Sequence, residues 1–225
     1  MTFSIVARCE QTGQFGVAIS SSSPAVAARC AWARAGIGAV ATQNVTNPAL
    51  GPRMLDELAK GASAPDAVAT ARQSDEFPGY RQLLAVDAQG SIAIHSGPNA
   101  LGTWTSAAGR QCVAAGNLLA NDSVPKAMIE SFEVTPGALG DRLIAALSAA
   151  VNAGGEAGPV RSAGLLIVDK EIWPYAELRI DWLEKGCPIA AVSRAWEVYK
   201  PQAQDYVTRA LNPVAAPSYG VPGDE

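Results

Sequence analysis

Thr2-Phe3-Ser4-Ile5-Val6-Ala7-Arg8-Cys9 and Phe15-Gly16-Val17-Ala18-Ile19-Ser20 are the two stretches from which the fold can be read. Both are short, apolar and rich in β-branched residues, and Glu10 to Gln14 between them holds the turn-forming pair Thr12-Gly13. They read as a β-hairpin.

The first residue of this hairpin also suggests chemistry. Removing Met1 would leave Thr2 with a hydroxyl and a free α-amine on one residue, a nucleophile and a general base side by side. An α-amine titrates near about 8, close enough to neutrality to work as a base. The expectation is an N-terminal-nucleophile amide hydrolase built on this hairpin.

Composition narrows the alternatives. A chain of 225 residues with 48% hydrophobic residues can bury a sizeable core as one soluble domain, and no apolar run approaches a membrane-crossing length. Seventeen basic against 21 acidic residues leave a net charge of −4 without a basic cluster, which argues against a nucleic-acid partner. The start shows no basic region followed by an apolar core and a cleavage site, so a cytoplasmic location is expected. Cys9, Cys30, Cys112 and Cys187 form no C-x-x-C pair and read as reduced core thiols. His95 is the only histidine, so neither a multi-histidine metal site nor an imidazole relay is expected, and no cofactor is called for.

Further along, Pro24 to Ala35 is Ala-rich enough for a short helix, and Ile37 to Gln43 reads as a buried strand. Asn47-Pro48 opens one helix, closed by Gly61, and Ser63 opens another through about Gln73. Gln82 to Val86 and Ile92 to His95 flank the turn Asp87 to Gly90. Asn99 to Gly109 reads as loop, and Gln111 to Ala115 as a returning strand. Two helices (Pro125 to Phe132, Leu139 to Val151), a strand pair (Ser162 to Val168, Ala176 to Asp181) and a last helix (Ile189 to Tyr199) follow. Strands and helices thus come in groups, which suits an α+β fold: a four-layer αββα sandwich of two stacked antiparallel sheets with helices outside. Residues 1–199 read as a single domain and 200–225, with Pro201, Pro213, Pro217 and Pro222, as an extended or disordered arm.

Some patterns are discarded. Gly36-Ile37-Gly38-Ala39-Val40-Ala41 fits a loose dinucleotide fingerprint, but it lies in a strand and opens no helix. No G-x-S-x-G elbow or Walker loop is present.

The opening residues 2–7, Gly16-Val17-Ala18, Trp32 to Gln43, Asn47-Pro48 and Gly51-Pro52-Arg53 resemble the bacterial family of domain of unknown function 1028. Agreement continues through His95-Ser96-Gly97, Gly116-Asn117 and Arg161-Ser162-Ala163. The resemblance implies the Ntn-hydrolase fold, often assembled as a homodimer, and names no substrate. Ser21 matches a serine of the family pattern and would face Thr2; the family often has histidine next, where this chain has Ser22. Some members carry a pilus-assembly label, but this chain has no long apolar stalk that would suit a structural surface role.

Three residues are candidates for catalysis: Thr2 as nucleophile, Asn117 as a donor to the tetrahedral intermediate, and Ser21 as an orienting group. Thr42, Gln43 and Asn44 are candidates to line a pocket for a small uncharged amide, imide or ureide, with His95 beside them. Arg179 is a candidate to anchor a substrate carboxylate, although Arg179 and Asp181 share one strand face and a surface ion pair is the simpler account of them. The contrasting expectation is a catalytically inactive scaffold of the same fold that binds a metabolite or a partner.

Overall fold

The computed structural model describes residues 1–222. In chain order the elements are β1 (Thr2–Arg8), β2 (Phe15–Ser21), α1 (Val26–Cys30), β3 (Ala31–Arg34), β4 (Gly38–Asn44), α2 (Leu50–Ala59) and α3 (Ala64–Gln73). Next come β5 (Arg81–Asp87), β6 (Ile92–Ser96), β7 (Thr105–Gly109), β8 (Cys112–Asn117), α4 (Val124–Val134) and α5 (Leu139–Asn152). The chain continues through β9 (Ser162–Val168), β10 (Ala176–Ile180), α6 (Pro188–Tyr199) and α7 (Ala203–Leu211).

The hairpin of β1 and β2 lies at the centre of a six-stranded antiparallel sheet ordered β10-β9-β2-β1-β8-β7. A second antiparallel sheet runs β3-β4-β5-β6. Alternation along β1 sets the layers. Phe3, Ile5 and Ala7 belong to an apolar cluster with Met128, Phe132, Leu143 and Trp196 of α4, α5 and α6. Val6 points the other way, into a layer shared with Val17, Ala39, Ala41, Leu84, Val86 and Val113 from both sheets. Beyond the second sheet, Val40 and Leu83 pack on Leu50, Met54, Leu55 and Val68 of α2 and α3. The architecture is therefore a four-layer αββα sandwich. Each fully buried Phe, Leu or Ile in these layers contributes roughly 2 kcal/mol of transfer free energy.

The structure departs from the sequence-based expectation in five places. Within Pro24 to Ala35 only Val26–Cys30 is helical; Ala31–Arg34 forms a strand because it pairs with Gly38–Ala41 of β4. Thr105–Gly109, expected as loop, is an edge strand whose pairing with β8 substitutes for the apolar side chains it lacks. Asn47 turns the chain ahead of α2, accepting from Ala49 N at 3.2 Å and donating to Asp75 at 3.0 Å, and the helix begins three residues later. Cys187 is exposed, whereas Cys9, Cys30 and Cys112 are buried. The expected arm contains α7, whose Tyr206 stacks on Tyr199 with ring centroids 5.5 Å apart. Among the described residues no helix is long and apolar enough to cross a membrane.

Candidate active site

The layer between the sheets is apolar at the turn end of the first hairpin and polar at the end where the chain starts. Thr2 and Ser4 of β1, Gln43 of β4, Gln82 of β5 and Asn117 of β8 all turn into it, each buried. Period-two alternation produces this arrangement, because Thr2, Ser4 and Val6 share one face and Gln43, Ala41 and Ala39 the facing one.

These groups satisfy one another. Ser4 Oγ donates to Gln43 Oε1 at 2.6 Å. Gln43 Nε2 donates both its hydrogens, to Gln82 Oε1 at 3.1 Å and to the Ala115 carbonyl at 3.2 Å. Gln82 Nε2 donates to the Gly116 carbonyl at 3.0 Å and to Ser96 Oγ at 3.2 Å. Asn117 Nδ2 donates to Gln82 Oε1 at 3.0 Å, which leaves its second N–H available. Asn117 is the direct cross-strand neighbour of Thr2, at the close spacing of an antiparallel pair. A buried network this fully paired holds its members in one geometry.

Thr2 is 7% exposed. Its Oγ1 donates to the Met1 carbonyl at 2.6 Å and lies 3.2 Å from Ser21 Oγ, which also donates to that carbonyl. Ser21 is fixed in turn by the Ser23 N–H, which donates to its Oγ at 3.0 Å. Ser162 of β9 braces the bend that follows β2, donating to the Ser23 carbonyl at 2.6 Å and accepting from Val26 N at 3.3 Å.

Glu156 closes this group from the loop between α5 and β9. It is 5% exposed, pairs with Leu119 through a β-bridge, and accepts the Ser22 N–H on both carboxylate oxygens at 3.0 and 3.2 Å. Burial pushes its carboxyl up to about 7, and the Met1 α-ammonium and Ser22 pull it partly back. The chain's amine and a buried acid thus lie within electrostatic reach of each other, beside two hydroxyls. Sequence reading missed Glu156 because its neighbours Gly154 and Gly155 read only as helix breakers; it missed Gln82 and Ser4 as ordinary strand residues. The polar alternation Thr2, Ser4 in an otherwise apolar strand was the available signal.

Of the candidates named from sequence, the structure brings Thr2, Ser21 and Asn117 together. Gln43 lies in the same layer but both its N–H groups are committed, so it supports the site and presents no free donor there. Thr42 faces away from Gln43 and donates to the Asn47 carbonyl at 3.3 Å. Asn44, at φ 76°, ties two loops together through the Tyr80 carbonyl at 2.6 Å and Leu101 N at 3.1 Å. His95 lies on the helix-facing side of β6, 2.9 Å from the Pro78 carbonyl, in a cavity of about 290 Å³ with Val68 and Arg72. Arg179 sits on the outermost strand in ion pairs with Asp181 at 2.9 Å and Glu177 at 3.5 Å. Those four are positioned by alternation and edge location for structural contacts. Among the described residues, no three His, Cys, Asp or Glu side chains converge as a metal would require.

Comparison with known proteins gives a consistent family assignment. A protein from Silicibacter pomeroyi, itself assigned to the DUF1028 family, is 30% identical over 88% of this chain and 89% of its own, with a TM-score of 0.82. More distant solved structures are an Anbu mutant from Hyphomicrobium sp. strain MC1 (15% identity, 92% of this chain and 99% of that one, TM-score 0.41) and Anbu, described as an ancestral beta-subunit, from Yersinia bercovieri (12%, 90% and 97%, 0.38). Those two scores are too low to bear on fold or chemistry. No curated protein matches the sequence. The family model described as "Family of unknown function (DUF1028)" matches residues 2–192, and the chain belongs to that family.

Proposed function

We propose that this protein is an N-terminal-nucleophile amidohydrolase that acts on a small non-peptide amide, imide or ureide, with Thr2 as nucleophile once Met1 has been removed. The observation that carries the reading is the Thr2 hydroxyl, buried at the polar end of the inter-sheet layer with Ser21 Oγ 3.2 Å away. Loss of Met1 would convert the Thr2 amide nitrogen into an amine. That amine takes the proton from Oγ1 as Oγ1 attacks the substrate carbonyl. The second Asn117 N–H supports the oxyanion of the tetrahedral intermediate. The amine then passes its proton to the departing nitrogen, leaving an ester on Thr2, and later activates the water that cleaves that ester. The volume vacated by Met1, whose side chain lies against Gly158, suits a substrate of modest size.

The contrasting reading is an inactive scaffold that keeps Met1 and binds a metabolite or a partner in the same place. With Met1 attached, its carbonyl accepts both the Thr2 and Ser21 hydroxyls, and the Thr2 nitrogen is an amide without basicity. Intact-mass measurement on the purified chain separates the two readings. A mass without methionine, with hydrolysis in an amide and imide panel that disappears in Thr2→Ala, supports the enzyme. Retention of methionine, or equal turnover by Thr2→Ala, would sink it.

A further inference from the structure

At the turn end of the first hairpin, roughly 20 Å along β1 from Thr2 at about 3.3 Å per residue, lies a second cavity. Its volume is about 490 Å³, enough for a small metabolite, and it is lined by the two hairpin turns of the six-stranded sheet and by the loop between α4 and α5. Arg8, Arg110 and Arg142 all face it, with Glu10 and Glu133 as the acidic residues.

The charges are unevenly matched. Both carboxylates are engaged by Arg110: Glu10 by its guanidinium at 2.7 Å, and Glu133 by its backbone N–H at 2.8 Å. Arg8 donates from Nη1 to Gln111 Oε1 at 2.6 Å, while its buried Nε has no partner. Arg142 is fixed by its Nε, which donates to the Phe132 carbonyl at 3.1 Å, and by its guanidinium lying 4.0 Å over the Phe132 ring. Among the described residues no acceptor meets the two outer nitrogens of Arg142. Two guanidinium groups are thus held in place with donors unspent, without a carboxylate of their own. The Arg142 charge reaches Cys9: burial raises the Cys9 thiol, but hydrogen bonds from Thr12 and Gln11, with a smaller contribution from Arg142, outweigh it and hold the thiol below its ordinary value.

A guanidinium offers paired N–H groups that match the two oxygens of a carboxylate or phosphate. We propose that this cavity is a binding site for a small molecule bearing a phosphate or carboxylate group, held by the guanidinium groups of Arg8 and Arg142. It is separate from the Thr2 site and does not depend on any activity there.

Calorimetric titration at low salt with inorganic phosphate, and separately with succinate, tests the site. Saturable binding of either probe, weakened at least about tenfold in Arg142→Gln and in Arg8→Gln, is the expected result, and the probe that binds identifies the acid group. An Arg34→Gln control, whose side chain pairs with Asp56 of α2 and does not line the cavity, retains full affinity. Because Arg142 also braces α4 against α5, hydrogen exchange on the unaltered protein supplies a second reading: either probe should protect residues 8–14 and 133–142. Absence of saturable binding by both probes below about 10 mM overturns the proposal. So does affinity unchanged in both folded variants, or protection confined to other segments.

Discussion

Glu156 carries a carboxyl that burial moves from an ordinary value of 4.5 to about 7, and the sign of its effect on stability follows from counting protons. Between those two values the folded chain keeps a proton that the unfolded chain has released. Its contribution is therefore complete below pH 4.5 and is lost as pH rises through 7. A shift of this size corresponds to roughly 3 kcal/mol over the whole titration, so urea melts with Met1 in place should show stability falling by about 2–3 kcal/mol from pH 5 to pH 8. Glu156→Gln should flatten the slope, and an unaltered slope in that variant would mean that another group titrates. At this scale Thr2 was legible as a candidate because the proposed chemistry depends only on its own atoms and its place behind Met1. Glu156 was not, since an acid in a glycine-rich loop becomes a site residue only through Ser22 and the chain's amine, which the fold brings to it.

Packing between elements can be tested at Gly16 of β2. A Cβ there would lie 2.6 Å from Leu143 Cδ1 of α5 and 3.1 Å from the Leu166 carbonyl of β9, so the helix rests directly on the strand backbone. Gly16→Val should therefore lower the unfolding free energy by about 1–3 kcal/mol through overpacking, read as a reduced urea midpoint with an unchanged slope. A midpoint equal to that of the unaltered protein would mean that α5 stands off the sheet. The elements that were legible carry their own pattern, as in Met54, Leu55 and Leu58 of α2 or the apolar run of β1. β3 and β7 carry none: Ala31–Arg34 looks helical and Thr105–Gly109 looks like loop, and both are strands because a neighbouring strand offers its backbone groups.

For the whole molecule, the boundary near residue 200 has a measurable meaning. Ile189, Val192 and Trp196 of α6 are buried in the large cluster, the helix packing on β9, β10 and α5, whereas nearly every described residue beyond Leu211 is exposed. A chain ending at Leu211 should melt within about 3 °C of the full chain, and one ending at Cys187 should lose its cooperative transition. A large loss in the first truncation would show that the terminal segment belongs to the core. The four-layer order was readable from the grouping of strands and helices, because each apolar face must find a partner layer. What local pattern determines here is therefore the hairpin, the amphipathic helices, the layered class and the place of Thr2 at the start of the first strand. Periodicity is a property of neighbours in the chain, and those features need nothing more. The tertiary structure alone decides that Ser21 and Asn117 flank Thr2, that Glu156 meets Ser22 beside them, that Gln43 braces this layer while Thr42 and His95 turn away, and that Arg8 and Arg142 line one second cavity. Strand register and layer stacking set those meetings, and neither is encoded in any single stretch of residues.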